Sequence, residues 1–412
     1  MTPGYRLDEL PYLLEEIEPF EAVLEQRAAD FRVEEIPLYE INNEGPHLYF
    51  EVRKRNLSTD RAVSILEEQL NVDDNFEIGF AGRKDKNAVT TQRMSLEHAE
   101  PEDLDAVTHV KLDVTPLGYH RNKLQPGHLK GNEFTVKLRV SSATPNIDTI
   151  RDRQQQLIEK GVPNYFGPQR FGLRQDTSKL GEYMVKDNLS EFIQQYFGRP
   201  SEQEPSECRE ARVLFEQDQY EAAMDAWPKQ YSNKRRGLAA WIDTGKAEPV
   251  LSAISKQRRQ LFVSAYQSQL FNELLADRIP QIDRVKRGDI AKKMDTGGMF
   301  EVKQPEAEQP RADTFDISPT GLLPGRDPWY ASHQPGEREQ DLLDRHDLSE
   351  EDFDTVSYLR SSGERRTFRF NLEAEPPESG TDQHGPFVKL IFRLPSGCYA
   401  TVFLREVLRK VP

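Results

Sequence analysis

Cysteine is scarce: the 412 residues hold only Cys208 and Cys398. Two cysteines so far apart exclude a disulfide framework and any CxxC zinc site, and the expected compartment is a reducing cytoplasm. Long apolar runs are missing too. No stretch of about 18 apolar residues occurs, so no transmembrane helix is expected. Leu13 and Leu14 run straight into Glu15 and Glu16, which is no signal-peptide core. Positive net charge is absent, since 55 Lys and Arg face 70 Asp and Glu and leave −15. A field of that sign repels nucleic acid on average, because phosphate binding needs lysine and arginine. The Gly-x-x-x-x-Gly-Lys phosphate loop is missing, and so is any Ser/His/Asp motif. His120 and His128 stand at no metal-ligand spacing. No cofactor and no metal are therefore expected.

What is present suits a folded protein of two or three domains. Hydrophobic residues make 36% and aromatics 9%, polar for an enzyme but too aromatic for a disordered chain. The charge is uneven. Carboxylates crowd residues 15–44, 202–210 and 341–354. Cations crowd Arg53-Lys54-Arg55, Arg83-Lys84-Asp85-Lys86, residues 121–139, Lys234-Arg235-Arg236 and residues 256–259. Such patches can override the average, although any single run reads first as a solvated face.

The first 160 residues read as strands with a few helices. Phe31, Val33 and Ile36 suggest a strand ending at Pro37. Leu48, Phe50 and Val52 alternate with polar residues. Ser58 offers a helix N-cap before the stripe Ala62, Ile65, Leu66. Phe76, Ile78 and Phe80 alternate again, and residues 89–94, 110–114 and 134–140 read as further strands. Residues 148–160 read as a helix capped by Gly161. Strands linked in series with inserted helices indicate α+β architecture with a largely antiparallel sheet. Beyond Gly161 helices dominate, notably residues 256–278. Residues 304–310 and 336–354 read as mobile surface. A strand-like pattern returns at residues 387–394. Pairing of that strand with the first block would make the chain 1–160 plus 369–412 one discontinuous domain and 161–368 an insertion.

Four segments could carry chemistry. In Gly79-Phe80-Ala81-Gly82-Arg83-Lys84-Asp85-Lys86, a strand meets a glycine and then a charged turn. Gly82 permits backbone shapes closed to other residues. Cations beside Asp85 favour its carboxylate, leaving it ionised as a nucleophile or base; the bland alternative is a solvated hairpin tip. Asn164-Tyr165-Phe166-Gly167-Pro168-Gln169-Arg170-Phe171-Gly172 interleaves aromatics with Arg170, fit for stacking bases or for packing a core. Residues 120–134 combine cations, histidines and glycines at a strand entry. Leu394-Pro395-Ser396-Gly397-Cys398-Tyr399 is a glycine turn carrying an aromatic.

These segments, with Asp30-Phe31-Arg32-Val33-Glu34-Glu35, Gln92, Leu129-Lys130-Gly131-Asn132, and Ser264 with Leu270-Phe271-Asn272, resemble the TruD-type tRNA pseudouridine synthases in order and along nearly the whole chain. The resemblance implies the pseudouridine synthase fold, a mainly antiparallel sheet interrupted by a family-specific insertion. It implies isomerisation of uridine to pseudouridine in RNA, typically position 13 of certain tRNAs. Asp85 matches the catalytic nucleophile. Phe31, Asn132 and Tyr399 match the substrate pocket, where Tyr399 replaces a phenylalanine of some members. Lys84 and Arg170 stand in the same motifs and are expected to contact substrate. The expected partner is tRNA, with no membrane, no obligatory protein partner and a monomeric state. Two other classes stay open on the residues alone: a non-catalytic binder of structured RNA, and a hydrolase using paired carboxylates. An intact Asp85 flanked by lysines counts against the first, and no motif supports the second.

Overall fold

The computed structural model describes residues 6–14, 18–25, 27–72, 76–142, 145–359 and 361–410. The chain forms two compact units. One comprises Glu16–Val162 and Phe370–Pro412, and the other Met1–Glu15 and Pro163–Arg369. Among the described residues no helix is long and apolar enough to cross a membrane.

The discontinuous unit is built on one sheet. Its strands are β1 (Phe31–Pro37), β2 (His47–Arg55), β3 (Gly79–Phe80), β4 (Val89–Glu97), β5 (Leu112–His120) and β6 (Leu129–Arg139), completed by Glu373–Ala374, Glu378–Asp382 and Gly385–Pro395. Across the sheet the order is Glu373–Ala374, Gly385–Pro395, β6, β1, β4, β2, β5. The β1–β4 pair is parallel; the neighbouring pairs β1–β6, β2–β4 and β6 with Gly385–Pro395 are antiparallel. The C-terminal strand lies on β6 from Phe387↔Arg139 to Pro395↔Gly131. That crossing needs glycine, because a Cβ on Gly131 would stand 2.2 Å from the Leu394 carbonyl oxygen.

Period-2 patterning sets which face is buried. Leu48, Phe50 and Val52 on β2, with Met94 and Leu96 on β4, pack under helix α1 (Thr59–Gln69) through Ala62, Ile65 and Leu66. Ser58 starts that helix by accepting from the Arg61 N–H at 3.3 Å. Farther along the sheet Phe134 stacks on Phe392 at 5.2 Å, and Phe392 meets Phe403 of the helix Ala400–Leu408 at 4.4 Å. Helix α2 (Ile147–Lys160) ends at Gly161, whose φ of 86° suits glycine. The expected strand from Phe76 is shorter: residues 76–78 lie outside the sheet, and only Gly79–Phe80 joins β4.

The other unit is helical around a small sheet, Ile290–Lys293, Met299–Glu301, Ile317–Leu323 and Glu364–Thr367. Its longest helix is Lys256–Arg278. Two segments expected to be mobile surface are ordered. Pro305–Asp313 is a helix that buries Ala312. His333–Arg345 is a helix that buries Pro335, Leu342 and Leu343, with its Glu339 held by Arg365 at 2.5 Å, both side chains nearly inaccessible. Acidic composition hid the few apolar residues that each helix turns inward.

Candidate active site

Asp85 sits in the turn between β3 and β4, and the turn is fastened at several points. The Lys54 ammonium donates to the carbonyls of Leu57 at 2.7 Å, Lys84 at 3.3 Å and Asp85 at 2.8 Å. The Lys84 N–H donates to Thr59 Oγ1 at 2.9 Å, and Gln92 Nε2 donates to the Gly82 carbonyl at 3.1 Å. Lys54 is 1% exposed and shares the apolar face of β2 with Leu48, Phe50 and Val52. A lone lysine in phase with three apolar residues on an alternating strand was the signal that could have found it. Gly82 works otherwise than expected: its φ is not positive, and an added Cβ would meet nothing within 4 Å.

Lys84 does not reach toward Asp85. Its ammonium lies 3.1 Å from Glu35 Oε2 and donates to Asn132 Oδ1 at 2.6 Å, and both ionic side chains are nearly inaccessible. Glu35 and Asn132 are cross-strand partners on β1 and β6, so one register places both acceptors under the turn. Asp85 is exposed to solvent. Desolvation by the protein around it raises its pKa above the ordinary carboxylate value, with Lys54 and then Lys84 pulling it back. Cations do favour the Asp85 carboxylate, but the larger effect is desolvation in the other direction, and the main opposing cation, Lys54, comes from β2. Burial lowers Lys54 in turn to about 8, against the pull of Asp85.

Phe31 opens β1 and is half-buried, edge-on to Phe134 at 6.0 Å. It thus ends an aromatic ladder running through Phe134 and Phe392 to Phe403. Tyr399, also half-buried, is the N-cap residue of the helix that carries Phe403. Asn132 faces Leu394, at the start of the turn leading to Tyr399. Asp85, Lys84, Asn132, Phe31 and Tyr399 therefore all belong to the unit built on the large sheet.

Arg170 belongs to the other unit, where Nε donates to Ser268 Oγ at 3.0 Å and the guanidinium covers the Phe166 ring at 5.5 Å. The aromatic segment around it is core: Tyr165 and Phe171 are 0% exposed and Phe166 8%. The Asn272 amide accepts from the Phe166 N–H at 2.8 Å and donates to its carbonyl at 3.0 Å, which ties this segment to the helix Lys256–Arg278. The base-stacking alternative for these rings is overturned by their burial. The basic stretch 121–139 is mostly neutralised: Arg121 pairs with Glu44 at 2.6 Å, Lys123 with Glu77 at 3.2 Å, Lys137 with Asp382 at 2.8 Å and Arg139 with Asp30 at 2.5 Å. Lys130 is exposed. Among the described residues no group of three His, Cys, Asp or Glu side chains could hold a metal ion.

The family model for tRNA pseudouridine synthase D (TruD) matches residues 9–407. The chain belongs to the TruD family. A relative from Syntrophotalea carbinolica, called tRNA pseudouridine synthase D, is 35% identical over 380 residues, 92% of this chain and 94% of its own. One of the same name from Geobacter metallireducens is 34% identical over 389 residues, 94% of each. A crystal structure assigned to tRNA pseudouridine synthase D of Methanosarcina mazei superposes with a TM-score of 0.81 at 27% identity, covering 97% of this chain and 96% of that one. The α+β architecture is that of the TruD family.

Proposed function

We propose that this protein isomerises a uridine of tRNA to pseudouridine, at position 13, with Asp85 as the nucleophile. The observation that carries the reading is the fastened turn: Lys54 and Lys84 hold the backbone on both sides of Asp85 while its carboxylate stays open to a ligand. Holding a reacting group in place removes orientational freedom from the barrier. The uridine must leave its stack, and Phe31 and Tyr399 supply the aromatic surface it then contacts. In the reaction the N1–C1′ bond breaks, the uracil turns, and a C5–C1′ bond forms. The proton of C5 departs and N1 regains one, so the product is an isomer and neither oxidant nor energy source is consumed. Lys84 fixes Asn132 from beneath, which leaves the Asn132 amide N–H groups as donors toward the uracil edge. The catalytic domain is the unit of Glu16–Val162 and Phe370–Pro412, and the inserted unit contributes recognition of the RNA.

The test is tritium release from tRNA transcripts labelled at uridine C5, with the modified position mapped by sequencing. Wild-type protein releases one equivalent, and Asp85→Asn binds the transcript but releases none. Wild-type turnover by Asp85→Asn would overturn the nucleophile assignment. Release from transcripts lacking a uridine at position 13 would overturn the position.

A further inference from the structure

The inserted unit contains a cavity of about 170 Å³ that the reaction does not use. It is lined from separate elements, among them Tyr196 of the helix Leu189–Phe197, Arg212 of Ser206–Glu216, Trp227 at the end of Tyr220–Ala226, Lys234 of Ser232–Thr244, and Arg258 with Phe262 of Lys256–Arg278. Its charges do not balance. Glu204 takes Arg212 at 2.6 Å and Arg174 at 3.3 Å, and Asp176 takes Arg174 at 3.0 Å. Arg212 also donates to the carbonyls of Tyr196 at 3.0 Å and Gly198 at 2.7 Å, a suitable place for a cation at a helix C-terminus. Two carboxylates of the lining thus serve two guanidiniums, while Lys234, half-buried against the Tyr196, Phe197 and Trp227 rings, and the exposed Arg258 pair with neither.

Lys234 is the sharper anomaly. Its ammonium donates to the Tyr196 carbonyl and lies 3.3 Å from the centre of the Tyr196 ring, and among the described residues no carboxylate comes within salt-bridge range of it. An ammonium has three N–H donors, so two remain. Burial, then the Arg212 and Arg174 guanidiniums, hold its pKa well below the usual lysine range. Beside it Trp227 is 1% exposed, and its indole N–H is buried with no acceptor. A buried indole N–H with no acceptor is costly unless an acceptor enters, and the cationic side chains beside it favour an anionic one.

We propose that this cavity binds the phosphate group of a nucleotide, with Lys234, Trp227 Nε1 and Arg258 as its donors. Donors on three separate elements suit a tetrahedral oxyanion better than a planar carboxylate. Size agrees: an apolar cavity of roughly 150 Å³ takes one benzene ring, so phosphate with part of a sugar fits and the base stays at the mouth. The phosphate comes from the RNA backbone or from a free nucleotide, and the chemistry of the site is the same for both. The proposal does not depend on the isomerisation assigned to Asp85.

The experiment is calorimetric titration of the full-length protein with inorganic phosphate, uridine monophosphate and tRNA. Wild-type protein is expected to bind phosphate and uridine monophosphate saturably, with a change in Trp227 fluorescence. Lys234→Met should weaken both at least tenfold, and Arg258→Gln, on an exposed stretch of helix, several-fold. Competition between uridine monophosphate and tRNA identifies RNA as the source, and binding without competition identifies a free nucleotide. No saturable binding of either small ligand, together with unchanged tRNA affinity in both variants, overturns the proposal. If Lys234→Met fails to fold, Arg258→Gln decides. Asp85→Asn run alongside should lose tritium release and keep the titration, so failure of one reading leaves the other measurable.

Discussion

Lys84→Met is the most informative single change, because the structure assigns Lys84 to the support of the turn and not to its outer surface. The Lys84–Glu35 pair lies at 3.1 Å with side-chain exposures of 4% and 2%. Removing one partner of a buried pair typically costs about 3–5 kcal/mol, mostly because the other charge stays buried and uncompensated. Here Glu35 Oε2 has no other hydrogen bond to fall back on. Lys84→Met should therefore destabilise its unit by about 3–5 kcal/mol. Replacing Glu35 as well, in Lys84→Met/Glu35→Leu, removes the stranded charge. What then remains is the missing donor to Asn132 Oδ1 and the Arg93 N–H that lost its Glu35 acceptor, each about 1–3 kcal/mol. Tryptophan fluorescence cannot follow this, since Trp227, Trp241 and Trp329 all lie in the inserted unit. Hydrogen exchange of β1 and β6 amides in urea can. A single variant within about 1 kcal/mol of wild type that nevertheless loses tRNA binding would refute the support role and return Lys84 to the substrate surface.

Four further outcomes follow from the same geometry. The pH profile of kcat/KM should be a bell: it rises once Asp85 is ionised, at a pH above that of an ordinary carboxylate, and falls through about 8 as Lys54 loses its proton, while Lys54→Met, which frees the Asp85 turn, should lower kcat/KM at every pH. Because folded Lys54 binds fewer protons than unfolded lysine between about 8 and 10.5, stability should rise with pH across that window, measured by urea titration. Tyr399→Phe should be mild, while Tyr399→Ala and Phe31→Ala should cost roughly ten- to a hundredfold in single-turnover efficiency, since stacking on an aromatic is worth about 1–3 kcal/mol. Alanine variants that melt early yet react at the wild-type rate while folded would make both rings core residues. Lys130→Gln should lower the salt slope of tRNA binding by roughly 0.7–0.9 log unit for each phosphate no longer neutralised. Lys123→Gln should change that slope little, since Lys123 already pairs with Glu77.

Local patterning determined much of this protein. Alternation marked β1 and β2, Ser58 and the Ala62–Ile65–Leu66 stripe marked α1, and Gly161 marked the end of α2. The motif around Asp85 was legible because its residues are contiguous, and so was the family. Composition misled where an apolar stripe lay inside an acidic segment, as in His333–Arg345. What tertiary structure alone decided is where each charge goes. Lys84 and Asp85 are neighbours in sequence, yet the Lys84 side chain turns to Glu35 and Asn132, and Lys54, 31 residues from Asp85, fastens the Asp85 backbone. The cations of residues 121–139 are legible as a cluster, but their partners Glu44, Glu77, Asp30 and Asp382 come from distant segments. The same holds for Lys234 and Trp227, unremarkable in sequence and brought to one cavity only by the packing of separate helices. Backbone preference acts over a few residues and can be read along the chain, but electrostatic and hydrogen-bond partners are chosen in three dimensions, where strand register and helix packing decide which groups share a low-dielectric space.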